Sequence, residues 1–481
     1  MKQICTTFLL AAVLAISANA AFAQFVYVHN VVNGGSEAIF GYRLNAATGE
    51  LAPLAGFPVG TGGTGTSFAL SETLAVNERE GLLFVVNDGP NTLSIYAIDP
   101  DTGALTQMPF SPVALGTANW STVAVNPAGA QVIVGGMLTA SSGIVRSFLV
   151  TENGIAEGSG SPAATGSATP FSSAFSRDGQ YFYTGGFTIS LSLAGYSVDA
   201  ATASISPLAG SPFNTGGSNP AGISTDSAGR IFLVDNVGRI RVFTTLSGIP
   251  AAVPGSPFAG IGGGIDSVLH PSGQYLYVAG RATERLAQFT LAGDGTSTTA
   301  GLSASFPTLG SIPNMVALDR SGSILLAANS NSRNLAVFGV SANGAALGYL
   351  GTQPANTLGS TGRLVGMTVY APIAPAEVPP GEMILQLISA IEAFDPPLKR
   401  GIARSLLAKL ENAVADLDAG DTAGAVEKLT AFLNHVRAQT GKHISAERAA
   451  FITEAANAIL EALNGKKKSP LNEVKKELAK Q

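Results

Sequence analysis

A strand–turn–strand phrase recurs about every 49 residues, and this period constrains the fold more than any single residue does. Its clearest copy, SVLHPSGQYLYVAG, occupies 267–280: a short apolar strand, a Pro/Ser-Gly turn, then an aromatic and β-branched strand ending in small residues. Related phrases are TLAVNEREGLLFVVN at 73–87, TVAVNPAGAQVIVGG at 122–136, SSAFSRDGQYFYTGG at 172–186, GISTDSAGRIFLVDN at 222–236 and MVALDRSGSILLAAN at 315–329. Each copy is too small to bury its own apolar faces. Copies stacked in a ring bury them against one another and leave only short sheet edges. A further phrase is split: FVYVHN at 25–30 supplies a second strand and LVGMTVY at 364–370 a first. The split predicts that the ring is closed by a strand from the far end of the domain. The expected fold is an all-β, seven-bladed propeller.

Between these phrases runs a strand pair with a turn such as Asp101-Thr102-Gly103, then a Ser-Pro-Phe phrase. Clear copies are Phe110-Ser111-Pro112, Ser211-Pro212-Phe213 and Ser256-Pro257-Phe258; Phe57-Pro58 and Ser161-Pro162 are looser ones. Proline suits an outer strand end, where its missing N–H matters least. No G-x-G-x-x-G opens a helix, so the glycines are read as propeller turns and not as a phosphate cradle.

The chain divides as 1–23 signal peptide, 24–371 propeller, 372–381 Pro-rich linker, 382–464 helical domain and 465–481 basic tail. The first segment has Lys2, the apolar run FLLAAVLAISA and Ala21-Phe22-Ala23, the grammar of a secretory leader. The expected location is therefore periplasmic or extracellular. The single cysteine, Cys5, lies in that leader, so the mature chain is expected to hold no disulfide. From Gln24 to Val378 there is no lysine, and 12 arginines face 19 acidic residues. Such a surface is a poor match for nucleic acid, which needs concentrated positive charge. From Pro379 onward 14 Lys and Arg balance 13 Asp and Glu, and the apolar period becomes helical. A first helix runs over Met383–Ala393. Asp395-Pro396-Pro397 is expected to cap and start a second, carrying Ile402, Leu406, Leu410, Val414 and Leu417 to a stop at Gly420. Asp421 caps a third and Ser445 a fourth, predicting a small all-α four-helix bundle. His435 and His443 are eight residues apart across a turn, which is not metal-ligand spacing.

Two resemblances sit on these residues. HPSGQYLYVAG at 270–280, SRDGQYFYTGG at 176–186 and the Ser-Pro-Phe phrases resemble the lactonase-type seven-bladed propellers, which include bacterial 6-phosphogluconolactonase and YVTN-repeat relatives. That resemblance implies a hydrolytic site at one mouth of the ring, built on a Pro-Arg-His lead-in with Glu and Arg. Here the lead-ins read Ala118-Asn119-Trp120-Ser121, Ala168-Thr169-Pro170-Phe171, Asn219-Pro220-Ala221 and Ile312-Pro313-Asn314, with no Arg-His. The stretches at 405–445 and 452–460 resemble the FIMAH domain, which implies an accessory module and no catalytic activity.

The loop face is expected to carry His29, Glu37, Glu72, Asp88, Trp120, Asp235, Asp266, Arg281, Glu284, Arg285, Arg333 and Arg363. For a hydrolase, His29 or Glu37 would be the base, and Arg281, Arg333 or Arg363 would hold a carboxylate or lactone oxygen. Trp120, Asp88, Arg285 and Arg363 are candidate ligand contacts. Asp88, Asp235 and Asp266 are the acids available to ring a cation, but no D-x-D-x-D-G loop supports that, and neither metal nor cofactor is expected. The missing Arg-His lead-ins favour a monomeric binding scaffold taking a protein or glycan on the loop face. Lactone hydrolysis is the alternative.

Overall fold

The computed structural model describes residues 23–463 except 33, 66–71, 88, 152, 187–191, 217–219, 293–298, 354–360, 373–379, 393, 395–396 and 419–420. Seven antiparallel sheets follow one another along the chain, and each is a blade. The inner strands of blades 1 to 7 are Arg363–Tyr370, Leu74–Asn77, Asn119–Val125, Ser172–Phe175, Pro220–Thr225, Gly264–Leu269 and Pro313–Leu318. Each of these touches the next, and the last touches the first, so the ring is closed. Closure is antiparallel pairing of Gln24–Val31 with Arg363–Tyr370, as the split phrase predicts. Gln24 ties this strand back to blade 7: its Nε2 donates to Asp319 Oδ2 at 3.1 Å and its Oε1 accepts from Arg320 N.

The core is a set of layers between blades, one apolar cluster per interface. Phe84 and Trp120 belong to the layer between blades 2 and 3, Val26 and Leu326 to that between blades 7 and 1. Each wholly buried Phe or Leu in these layers contributes about 1.5–3 kcal/mol by leaving water. Tyrosines of the second strands add a lock from blade to blade. The hydroxyls of Tyr27, Tyr183 and Tyr277 donate to the turn carbonyls of Gly103, Gly248 and Gly344 in the following blade, at 2.7, 2.7 and 2.8 Å.

In blades 1 to 5 the Ser-Pro phrase has a cis peptide and leads into a two-residue strand beside the third strand. Four of its serines accept a main-chain N–H from that strand: Ile95, Ser147, Gly195 and Val242 donate to Ser111, Ser161, Ser211 and Ser256 at 2.9–3.1 Å. At the opposite mouth, in five of the seven blades one residue caps the turn between first and second strands. Asn77, Asn126, Asp226, His270 and Asp319 each accept an N–H from two residues ahead. His270 Nδ1, accepting from Ser272 N at 3.1 Å, is one of this set.

The second compact unit follows Pro372 in sequence. Its helices are Pro380–Glu392, Arg400–Asp418, Thr422–Gln439 and Ala446–Leu463, each packed on the next and the last on the first. Ile384, Leu406, Leu410, Leu429, Phe432 and Ile452 form its core. Asp421 caps the third helix by accepting from Gly424 N at 2.9 Å, and Ser445 caps the fourth by accepting from Arg448 N at 3.3 Å. The second helix starts later than the sequence predicts. Asp395 and Pro396 lie outside the described residues, and Pro397–Lys399 are not helical. Lys399 instead offers its carbonyl to Ile402 N and Ala403 N. Among the described residues no helix is long and apolar enough to cross a membrane.

Candidate functional site

The inner strands turn toward the axis in a repeated way. In blades 3, 5, 6, 7 and 1 the ladder to the second strand skips one residue at the same level: Ser121, Ala221, Ile265, Asn314 and Val365. Each skip is a β-bulge, which re-aims the extra side chain. Glu72 and Phe171 hold the matching positions in blades 2 and 4. Phe171, Ala221 and Ile265 come from three blades yet share one apolar cluster, so side chains at this level converge on the channel.

Glu72 and Asp266 are the carboxylates of the channel. Glu72 reaches past blade 3 to blade 4. Its Oε1 accepts from Ser172 Oγ at 2.6 Å, and its Oε2 from Ser173 N at 3.0 Å and Thr122 Oγ1 at 3.5 Å. Asp266 accepts from Val316 N of blade 7 at 2.8 Å and from Ser267 N at 2.7 Å. These amides lie on the free inner edges of their strands, so the carboxylates satisfy donors that the sheets leave unpaired. Neither acid has a Lys, Arg or His in ion-pair contact among the described residues. Burial first, then the charge of Asp266, raises the Glu72 carboxyl well above the ordinary range despite its hydrogen bonds. Burial also raises Asp266. The sequence placed both acids on this face singly; their proximity comes from the reach of Glu72 across two blades.

His29 and Glu37 do meet, with Nε2 and Oε2 3.3 Å apart, but the side chains are 1% and 0% exposed. Thr73 donates its hydroxyl proton to Val365 O at 3.1 Å, so His29 Nδ1 carries hydrogen and donates to Thr73 Oγ1 at 2.9 Å. Nε2 then faces Oε2 across that gap. Glu37 Oε1 accepts from Gly65 N at 3.0 Å. A base sealed on every side cannot reach a substrate water, so the pair acts as a buried tie between the second and third strands of blade 1.

The arginines divide. Arg281 follows the second strand of blade 6 and Arg363 opens the inner strand of blade 1. Burial first, and then the neighbouring Arg363 charge, lowers the Arg281 guanidinium below its usual value. Neither forms an ion pair among the described residues. Arg333 lies between them along the ring, on the turn of blade 7, with φ of 51° and its Nη1 3.3 Å from Asn331 O. Arg285, in contrast, is spent on the outer strand of its own blade: Nε donates to Ser305 Oγ at 2.9 Å and Nη2 to Ser305 O at 2.7 Å.

The other expected contacts lie elsewhere. Trp120 is on the inner strand of blade 3, not in a loop. It is buried between blades 2 and 3, and its Nε1 donates to Gly116 O at 2.8 Å. Asp235 is taken by Arg239 N at 2.8 Å and Arg241 Nη2 at 3.4 Å. Glu284 is exposed, with φ of 56°, and its carbonyl accepts from Thr308 N and Oγ1. Asp88 lies outside the described residues. Asn314 was not among the expected site residues. Its only signal is that it is a polar residue where Ala221, Ile265 and Val365 are apolar.

With this geometry in place, the chain can be set beside known proteins. Residues 231–357 match the family model for the lactonase seven-bladed β-propeller, and residues 398–461 match that for the FIMAH domain. No protein of curated function matches in sequence. Among solved structures, the periplasmic gluconolactonase of Pseudomonas aeruginosa is similar, at 21% identity and a TM-score of 0.58, covering 73% of this chain and 100% of that one. A Bacteroides fragilis protein provisionally assigned as a 6-phosphogluconolactonase is similar at 16% identity and a TM-score of 0.57, with 73% and 99% covered. A Lactobacillus plantarum protein is similar at 16% identity and a TM-score of 0.55, with 72% and 99% covered. The molecule is a seven-bladed propeller that matches the lactonase propeller family over part of its length, followed by a helical unit that matches the FIMAH domain.

Proposed function

We propose that the propeller mouth over blades 6, 7 and 1 binds a small oxyanion-bearing ligand, a sugar acid or its lactone, and that the protein serves as a binding module outside the cell. The observation that carries this is the pair Arg281 and Arg363. A guanidinium whose charge is disfavoured by burial and by a neighbouring guanidinium, with no carboxylate in ion-pair contact with either among the described residues, is stabilised by an anion. Arg333 on the intervening blade extends the same positive rim. Binding is favoured over turnover because the His29–Glu37 pair is sealed.

Calorimetric titration of the full chain with gluconate, galacturonate and gluconolactone tests this. Arg281→Ala and Arg363→Ala are each expected to weaken binding roughly 10- to 100-fold, the worth of a charge-assisted hydrogen bond. Absence of binding, or affinity untouched in both variants, refutes the reading. A second reading, lactone hydrolysis, is favoured by the lactonase-like fold and by the raised carboxyls of Glu72 and Asp266, one able to act as acid and the other as base. Saturable turnover of the lactone, lost in Glu72→Gln, would establish it.

A further inference from the structure

The channel below the arginines poses a separate problem, because it holds two carboxylates and no counter-charge. Glu72 and Asp266 accept only from neutral donors: Ser172, Ser173, Thr122, Ser267 and Val316. Each keeps some exposed surface, so solvent reaches them along the channel. Among the described residues no three His, Cys, Asp or Glu side chains converge, so a third donor has to be of another kind.

Asn314 supplies it. It is the bulge residue of blade 7, at the level where Phe171, Ala221 and Ile265 meet, and it is 2% exposed. Neither its Oδ1 nor its Nδ2 has a hydrogen-bond partner among the described residues. An amide buried with both ends unmet is costly, by about 1–3 kcal/mol for each group, unless something else meets it. Two residues further on, Val316 N holds Asp266. The orphan amide and the N–H that holds the Asp266 carboxylate thus lie on one short stretch of the same inner strand.

We propose that Glu72, Asp266 and Asn314 form a binding site for one Ca2+ ion in the propeller channel. The donors are all oxygens, which selects a hard cation over zinc or copper. Two carboxylates call for a divalent charge. Both carboxylates already hold main-chain N–H groups, and the three ligands come from three different blades, so the cage is irregular and open to water. Ca2+ accepts six to eight oxygens in flexible geometry, whereas Mg2+ demands a near-ideal octahedron. The site does not depend on what the arginine mouth binds.

The test is calorimetry and thermal melting of the full chain, stripped with chelator and titrated with CaCl2 or MgCl2 at constant ionic strength. One Ca2+ per chain is expected, with Tm raised by about 5 °C at a hundredfold excess over Kd. Mg2+ should bind at least tenfold more weakly. Glu72→Gln and Asp266→Asn keep shape and an acceptor oxygen, and each should abolish the response. Asn314→Ala leaves both carboxylates and should weaken binding roughly tenfold, which keeps the test open if a carboxylate variant fails to fold. No heat and no shift up to about 10 mM, beyond the range of extracellular Ca2+ modules, overturns the proposal. So does a response retained in the Glu72→Gln/Asp266→Asn variant, or an equal response to Mg2+.

Discussion

Replacing Glu37 by alanine isolates the cost of the sealed pair. The side chain makes two contacts that nothing else replaces. Its Oε1 takes the Gly65 N–H at 3.0 Å, and its Oε2 faces His29 Nε2 at 3.3 Å. Water cannot enter to substitute, since the two side chains are 0% and 1% exposed. Removing one member of a buried pair generally costs about 3–5 kcal/mol, because the other is left unmet. Of that, the orphaned Gly65 amide accounts for about 1–3 kcal/mol. Denaturant unfolding of the full chain, followed by the fluorescence of Trp120, gives the loss. Glu37→Gln keeps an acceptor for Gly65 and an amide facing the imidazole, so it should cost well under half as much. The double variant with His29→Ala should cost less than the sum of the singles, with a coupling of about 1–3 kcal/mol. Ligand affinity per folded molecule should not change. A Glu37→Ala loss below about 1 kcal/mol would refute the buried-tie argument. Intact stability with abolished binding or turnover would return His29 to the role of base.

Two further outcomes follow from the same geometry. Tyr183→Phe removes the hydroxyl that reaches Gly248 O and should cost about 1 kcal/mol in unfolding free energy; Tyr27→Phe and Tyr277→Phe, which lose the equivalent lock, should match it, and a spread from zero to several kcal/mol would refute a common role. Glu72 and Asp266 have folded-state values raised above their unfolded ones, so their contribution is full below the ordinary carboxylate range and is lost as pH rises through the raised values. In chelator, Tm should therefore fall from about pH 5 to pH 8, with a limit of about 1.4 kcal/mol per pH unit for each proton, and Glu72→Gln should flatten that slope.

The propeller was legible because its information is repeated. Six whole phrases and one split phrase gave the blade number, the strand order within a blade and the closing strand before any contact was known. The helical stripes were equally readable, since Ile402, Leu406 and Leu410 recur at one helical face and pack in the core. The start of the second helix was misplaced: Asp395 followed by proline looks like a cap, whereas the described helix begins at Arg400. Side-chain reach was not legible. Nothing in the spacing says that Glu72 of blade 2 touches Ser172 of blade 4. Nor does it say that His29 and Glu37 meet and are sealed inside the protein.

A repeat also carries its own control. At each level the other blades show what packing alone selects, and departures from that selection need a separate cause. At the turn level His270 stands with Asn77, Asn126, Asp226 and Asp319, and all five accept the same N–H, so the histidine is explained by the turn. At the bulge level Ala221, Ile265, Val365 and Phe171 fill the channel with apolar groups, and Ser121 satisfies itself on Pro170 O at 2.7 Å. Glu72 and Asn314 break that selection. Glu72 adds a charge, and Asn314 adds an amide that has no protein partner among the described residues. Packing would have served both positions better with a small apolar residue. The excess polarity there is what a bound ion would account for, and the excess guanidinium charge at the rim above it is what a bound anion would account for.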